Sequence, residues 1–164
     1  MSAEIVEGYA ARVEQLEHRA ALWELALHYA VAVDDEDYDA LTGQFVAESE
    51  FVGLSNTLVG PKAIVAYLRE QSARHDEMTH LVTSQSLDVL DDSSASGLVR
   101  AIAAHRGGDA PDALISLRYA DDYVLRDGQW RFLRRRLHAV SPLPVHGGLG
   151  MLSAALGDRP PASQ

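Results

Sequence analysis

The stretch Leu114–Val140, LISLRYADDYVLRDGQWRFLRRRLHAV, contains the pattern that decides the fold class. Apolar and polar residues alternate on both sides of Arg126-Asp127-Gly128, and an Asp-Gly pair between two alternating runs is typical of a tight hairpin turn. The stretch therefore predicts two antiparallel strands, at about Leu114–Leu125 and Gln129–Val140.

Two more strands are predicted on the amino-terminal side of this hairpin. Thr79–Leu90 alternates and is rich in β-branched residues, and the turn residues Asp91-Asp92-Ser93-Ser94 lead into a strand at about Ala95–His105. Gly107-Gly108-Asp109 then separates this strand from the hairpin. Consecutive strands joined by short turns predict an antiparallel meander.

The first part of the chain has helical periodicity instead. From Val6 to Val33 apolar residues recur at spacings of three and four, which predicts one long helix, or two helices joined near His18. The recurring residues are Val13, Leu16, Ala20, Trp23, Leu27 and Ala30. The acidic run that follows, Asp35-Glu36-Asp37-Tyr38-Asp39, predicts an N-terminal cap for a short second helix. In that helix Leu41 and Phe45 are expected to point inward.

A strand through Glu50–Val52 is expected next, and Gly60-Pro61 then predicts the start of a third helix, Pro61 to about Arg74. Helices that precede a meander predict an α+β fold rather than alternating βαβ units. We expect one domain over residues 1–141 and a Pro/Gly-rich tail over residues 142–164.

Composition excludes several classes of function. The chain has 164 residues, which suits a single domain, and its net charge of −10 opposes binding to nucleic acid or to an anionic membrane. It has no cysteine, which excludes thiol catalysis, thiolate zinc sites and disulfides. The first residues lack the pattern of a signal peptide, so we expect a soluble cytoplasmic protein.

The short motifs of phosphate-binding loops, metalloproteases and nucleophile elbows are absent from the sequence, so candidate residues must be chosen by their placement. Asp34 ends the long apolar helix and adjoins the predicted core. The acidic residues 35–37 are instead expected in a solvated loop. We do not expect the acidic run to bind a metal, because adjacent loop residues rarely converge on one ion.

His80 lies near the start of the first meander strand, and strict alternation places Val82 and Ser84 on the same face. A lone strand histidine is more often structural than catalytic. If a carboxylate lies against it, however, the imidazole is fixed in one tautomer and becomes a suitable base for a carbon-bound proton.

Two further candidates lie on the helix and on the last strand. Tyr29 lies five residues before Asp34, so both reach one cavity only if the helix loosens near its end; the alternative is that Tyr29 fills the core. Alternation places Arg136 on the same face as Trp130 and Phe132, where a cation could bind an oxyanion; the alternative is an exposed arginine.

These segments together resemble a known family. The residues that carry the likeness are RAALWELALHYAVAVDDEDYDALTGQF (19–45), Gly60-Pro61-Lys62-Ala63-Ile64, MTHLVTSQ (78–85) and YADDYVLRDGQWRFLRRR (119–136). Over about residues 12–140 the chain resembles the SnoaL-like branch of the nuclear transport factor 2-like superfamily. The resemblance implies a cone, in which a curved antiparallel sheet wraps three helices around a pocket.

The family includes polyketide cyclases, scytalone dehydratase, bile-acid dehydratase and a hexachlorocyclohexane dehydrochlorinase. Several members that catalyse eliminations have an Asp at the end of the first helix and a His at the start of the strand after the third, positions that match Asp34 and His80. Tyr29 matches a tyrosine of bile-acid dehydratase, and Arg136 matches a last-strand arginine of the dehydrochlorinase. Val31 stands where scytalone dehydratase has an Asp, so that enzyme's specific arrangement is not implied.

The resulting hypothesis is a cofactor-independent dehydratase for a hydrophobic polyketide-, steroid- or aromatic-like substrate. His80 abstracts a proton from carbon, Asp34 orients the ring, Tyr29 donates a hydrogen bond and Arg136 contributes charge. Cyclisation and double-bond isomerisation need the same proton abstraction and stay open.

Two alternatives belong to other classes of function. One is a non-catalytic binding or assembly module, like the small subunits of ring-hydroxylating dioxygenases. The other is an epoxide hydrolase, which would need an Asp-Arg-Asp arrangement with Asp121 or Asp122. Many members of the family pair through the open sheet face. We therefore expect a homodimer, with Leu117, Leu133 and Leu137 in an apolar patch on that face.

Overall fold

The computed structural model describes residues 3–89 and 91–142. Helix α1 spans Ala3–Asp34, α2 spans Tyr38–Gly43 and α3 spans Pro61–Ser72. The strands are β1 (Phe45–Val52), β2 (Thr57–Val59), β3 (Glu77–Val89), β4 (Ser94–Arg106), β5 (Ala113–Arg126) and β6 (Gln129–Pro142). The tail predicted for residues 142–164 lies outside the described residues from 143 onward.

The strands form one curved, unclosed sheet in the order β2-β1-β6-β5-β4-β3. The predicted antiparallel meander β3–β6 is confirmed. The sheet is not wholly antiparallel, because β1 runs parallel to β6, with Phe51 opposite Arg135. The prediction that Phe45 belongs to the second helix is wrong, since this residue opens β1. The short strand β2, which pairs with β1, was not predicted.

The turn that joins β5 to β6 has the predicted chemistry. Asp127 (φ 52°) and Gly128 (φ 73°) both have positive φ, as a two-residue type I′ hairpin turn requires. Gln129 pairs with Arg126 directly after the turn, so the hairpin closes without a longer loop.

Helix α1 buries a different face from the one that its apolar spacing indicates. Val13 and Leu16 are exposed, and Trp23 and Leu27 are only partly buried. The residues of α1 that enter the core are Leu22, Leu25, Ala26, Tyr29, Ala30, Ala32 and Val33. The predicted apolar stripe is therefore not the main core face of this helix.

A β-bulge interrupts the alternation of side chains along β3. In β3, Val82 pairs with Ala101 and Ser84 pairs with Arg100, so Thr83 is an extra residue. The face of the strand changes at this point. Gln85, rather than Ser84, points into the interior, where it donates a hydrogen bond to the Leu22 carbonyl at 3.1 Å.

The prediction of an exposed apolar patch on the sheet is wrong. Leu117 is buried, and both Leu117 and Leu137 line a cavity between the sheet and the helices, while Leu133 is partly buried. The homodimer therefore stays a prediction without that patch to support it. None of the helices among the described residues combines the length and the apolar character needed to cross a membrane.

Candidate functional site

The end of α1 places Asp34. The N–H of Asp37 donates to the Ala32 carbonyl at 2.9 Å, and the N–H of Glu36 donates to the Val33 carbonyl at 3.3 Å. This is the Schellman arrangement, in which the residue after the helix takes positive φ, here Glu36 at 55°. Asp37 then caps α2 by accepting from the Ala40 N–H at 2.9 Å, as the acidic run predicts. The chain thus leaves α1 directly after Asp34.

The Asp34 carboxylate holds His80 at two points. One oxygen lies 2.6 Å from His80 Nδ1, and the other accepts from the His80 backbone N–H at 2.7 Å. The side chains are 20% (Asp34) and 11% (His80) exposed. Such short distances are typical of charge-assisted hydrogen bonds. Because Nδ1–H faces the carboxylate, the tautomer that this pairing favours leaves the lone pair on Nε2.

His80 lines a half-open cavity of about 170 Å³. The residues around it are mostly apolar or aromatic: Tyr29, Val33, Phe51, Tyr67, Leu68, Gln71, Ser72, Met78, His80, His105, Ile115, Leu117, Tyr119 and Leu137. Asp34 is not among them; it lies behind the His80 ring and borders a smaller depression with His75. A larger groove of about 400 Å³ on the outer side of α1 includes His28 and Gln44 but neither member of the pair.

Tyr29 is both a core aromatic and part of the cavity wall. It is 5% exposed, and its ring lies edge-on to Phe132 at 5.8 Å between centroids. Burial raises the pKa of Tyr29 well above its usual value and raises that of Tyr119, another wall residue, to about 12. Both phenols therefore stay protonated at neutral pH and can act as hydrogen-bond donors.

Arg136 does not join this site, because a second bulge reverses the faces of β6. Tyr123 pairs with Phe132 and Asp122 pairs with Arg134, so Leu133 is the extra residue. Beyond it, Arg135 is directed inward and is 1% exposed, whereas Arg136 is exposed. The expectation that Arg136 faces the pocket is corrected.

Arg135 forms a buried ion pair beneath the cavity wall. Its Nε lies 3.2 Å from Asp121 Oδ1, and its guanidinium lies 4.1 Å from the centre of the Tyr29 ring and 4.2 Å from that of Tyr119. Burial raises the pKa of Asp121 to about 6 although Arg135 opposes this shift, so the carboxylate is ionised at neutral pH. Tyr123 donates to the same carboxylate at 3.0 Å.

This ion pair does not make the acid-arginine-acid site that an epoxide hydrolase needs. Asp121 and Arg135 do not line the cavity. Asp122, the other acid considered, lies half-exposed with its Oδ2 3.9 Å from Arg134 NH1.

The sequence comparison identifies the family. The profile of the SnoaL-like domain matches residues 14–136. The chain belongs to the SnoaL-like family. The resemblance predicted from the sequence is thereby confirmed. No curated protein matches this SnoaL-like chain in sequence.

Solved structures similar to this SnoaL-like domain share its fold. A candidate scytalone dehydratase from Novosphingobium aromaticivorans DSM 12444 is 22% identical with a TM-score of 0.73, over 82% of this chain and 93% of that one. A hexachlorocyclohexane dehydrochlorinase, LinA-type3 from Novosphingobium barchaimii LL02, is 20% identical with a TM-score of 0.72, over 80% and 94%. The fold is the predicted nuclear transport factor 2-like cone, here with one parallel strand pair.

His105 is a site residue that the sequence reasoning missed. It lines the cavity of the SnoaL-like domain, and its ring centroid lies 5.8 Å from that of His80 and 4.6 Å from that of His75. Burial, followed by the charges of His80 and His75, lowers the pKa of His105 to about 4. The sequence contains a signal for it: alternation along β4 places His105 on the same face as the small apolar residues Ala101 and Ala103, which are buried.

The site contains imidazoles and carboxylates, which are common metal ligands. Among residues 3–89 and 91–142, however, no three His, Asp or Glu side chains are grouped so that they could hold one ion. The site also presents an imidazole at His80, a carboxylate against it at Asp34 and protonated phenols in the wall, which are groups that proton transfer can use.

Proposed function

We propose that this SnoaL-like domain is a cofactor-independent lyase that eliminates water from a small hydrophobic substrate. The observation that carries the proposal is the double contact of Asp34 with His80, at Nδ1 and at the backbone N–H, in the wall of an otherwise largely apolar cavity. This contact directs the remaining nitrogen, Nε2, toward a bound molecule and stabilises the ring once it gains a proton.

The reaction begins when His80 Nε2 removes a proton from a carbon next to a carbonyl group. The electron pair of the broken C–H bond forms a carbon–carbon double bond, and the bond to a hydroxyl on the neighbouring carbon breaks. The leaving hydroxyl takes a proton from the imidazolium and departs as water, so His80 returns to its starting state. Tyr29 supports this step by donating a hydrogen bond to the developing enolate or to the hydroxyl.

His105 contributes a second imidazole beside the base. Because it is neutral at neutral pH, it places no additional positive charge against the His80 imidazolium when that forms. Its ring can also hydrogen-bond a polar group of the substrate. In this proposal Arg135 acts only through the tyrosine rings that it supports, since it does not line the cavity.

The cavity favours substrates of modest size. Its volume of about 170 Å³ is close to that of a cavity of about 150 Å³ known to hold benzene. A compact aromatic or polyketide-derived ring fits this space better than a steroid with its fused rings. A candidate scytalone dehydratase and a dehydrochlorinase are among the similar structures, and both names denote eliminations, which supports the same reaction class.

The test is turnover of a panel of β-hydroxy ketones with one or two rings, followed by mass spectrometry for the loss of water. His80→Ala and Asp34→Asn should each lower turnover by about 10²–10⁴-fold. His28→Ala is the matched control, because His28 is exposed and lies outside the cavity. Wild-type turnover in both folded variants would contradict the proposal.

Cyclisation or double-bond isomerisation is the second candidate, because the same pair of residues would start it. Its product has the mass of the substrate, so the same assay separates it from elimination. An assembly module is disfavoured by the open cavity, since side chains could fill it in such a role, whereas a non-catalytic ligand-binding module would use the same cavity. Binding without any change of the substrate would support that alternative. Cytoplasmic location and homodimer formation are parts of this proposal.

A further inference from the structure

The first turns of α1 project from the rest of the described structure. Every residue from Ile5 to Glu17 is exposed, on all sides of the helix. An isolated helix of this length is only marginally stable in water. The exposed part nevertheless carries large apolar side chains: Ile5 (50% exposed), Val6 (48%), Tyr9 (57%), Val13 (52%) and Leu16 (66%).

These side chains follow a heptad pattern. We define the α1 seam as Val6, Tyr9, Val13, Leu16, Ala20 and Trp23, whose spacings alternate between three and four residues. The seam spans about two and a half heptads, and such alternation on an exposed helix face is typical of a helix that pairs with another helix in a coiled coil. The a positions are Val6, Val13 and Ala20, and the d positions are Tyr9, Leu16 and Trp23. The β-branched valines at a, with Leu16 at d, favour a two-stranded, parallel pair.

The charges beside the seam specify the partner and its direction. Arg12 precedes Val13 at a g position, and Glu17 follows Leu16 at an e position. In a parallel pair of identical helices, Arg12 faces the partner's Glu17, and the same contact recurs by symmetry. An antiparallel pair would place like charges together. Arg12 and Glu17 have no ion-pair partner among residues 3–89 and 91–142.

The cone domains do not obstruct this pairing. Leu25, in the core, lies nine residues after Leu16 of the seam, which is about two and a half helical turns. The core face and the seam therefore lie on roughly opposite sides of α1. Two copies joined at the seam carry their domains on opposite sides of the helix pair.

We propose that the α1 seam binds a second copy of this chain in a parallel two-helix coiled coil. The interface is distinct from the sheet face on which a homodimer was predicted. It is also independent of the elimination chemistry, because none of the seam residues lines the cavity that contains His80.

Sedimentation velocity of the full chain over a wide concentration range tests the proposal. The wild type should form dimers, and Val13→Asp should weaken the dimer by at least about 100-fold, because both copies lose a buried valine and gain a charge. The matched control is Ala11→Asp, which adds the same charge at an f position on the same turn. Circular dichroism checks that each variant keeps its helix.

The direction of the pair is tested by charge exchange. Arg12→Glu should weaken the dimer, and combining it with Glu17→Arg in the same chain should restore it, as only a parallel pair predicts. A monomeric wild type, as would result if another segment of the chain covered the seam, would overturn the proposal. So would a dimer that is indifferent to Val13→Asp, since it would use another surface.

Discussion

Replacement of Asp34 by asparagine should destabilise the fold through the loss of one strong hydrogen bond. The carboxylate accepts at 2.6 Å from His80 Nδ1 and at 2.7 Å from the His80 backbone N–H. An asparagine oxygen can keep the bond from the His80 backbone N–H, but its amide NH2 can meet Nδ1 only by donating to it in the opposite tautomer, so the charge-assisted bond to the ring is lost. A hydrogen bond to a charged group contributes about 1.5–3 kcal/mol to stability. The free energy of unfolding should therefore fall by about that amount, and Tm by about 3–12 °C for a chain of this size.

Urea denaturation measured by circular dichroism gives this difference without knowledge of the substrate. The matched control is Asp35→Asn, one residue further along, at an exposed position where the change should stay within about 0.5 kcal/mol. In a double-mutant cycle, His80→Ala should cost markedly less in the Asp34→Asn background than in the wild type. Equal stability of the Asp34 and Asp35 variants, or fully additive effects in the cycle, would show that the Asp34–His80 contact does not stabilise the fold.

Three further predictions follow from other parts of the site. The pKa of His105 is about 4 in the folded protein and 6.5 ordinarily, so the unfolded chain binds more protons between these two pH values. The free energy of unfolding should therefore rise with pH through that window, and it should rise less in His105→Gln. Urea titrations at several pH values measure both slopes. Arg135→Met leaves the Asp121 carboxylate buried without its cation, so the free energy of unfolding should fall by about 3–5 kcal/mol. The control Arg136→Met, at an exposed position, should change it by less than about 0.5 kcal/mol. Equal losses in thermal denaturation would contradict the described faces of β6. Tyr29→Phe keeps the ring and removes the donor, so kcat should fall by about 10²-fold while the urea midpoint stays nearly unchanged; an unaltered kcat would remove Tyr29 from the mechanism.

Local signals in the sequence were sufficient for most of the elements. The Asp-Gly turn, the alternating runs and Gly60-Pro61 are each decided within a few residues, and the structure has the hairpin and α3 at those places. Asp34 and His80 were paired through resemblance to a family, since 46 positions separate them and no short-range pattern joins them.

The errors arose where distant contacts override local periodicity. A bulge adds one residue to a strand, and the residue types at Thr83 and Leu133 do not predict a bulge at either position. Each bulge transfers a polar residue, Gln85 or Arg135, to the interior. In β6 the bulge therefore places Arg135, rather than the predicted Arg136, on the inner face of the sheet.

Helix α1 shows a different source of error. It carries two apolar stripes, one of which enters the core at residues such as Leu22 and Tyr29, while the other includes exposed Val13 and Leu16. Periodicity detects both stripes and cannot decide which of them the sheet covers.

The proposed reaction requires that Asp34 fix His80 with Nε2 available as a base. Long-range proton–nitrogen NMR correlation of the imidazole, at a pH at which the ring holds one proton, measures this directly. We expect a protonated Nδ1 and an unprotonated Nε2 in the wild type, and a shift of the proton toward Nε2 in Asp34→Asn. A proton on Nε2 in the wild type would contradict the proposed reaction.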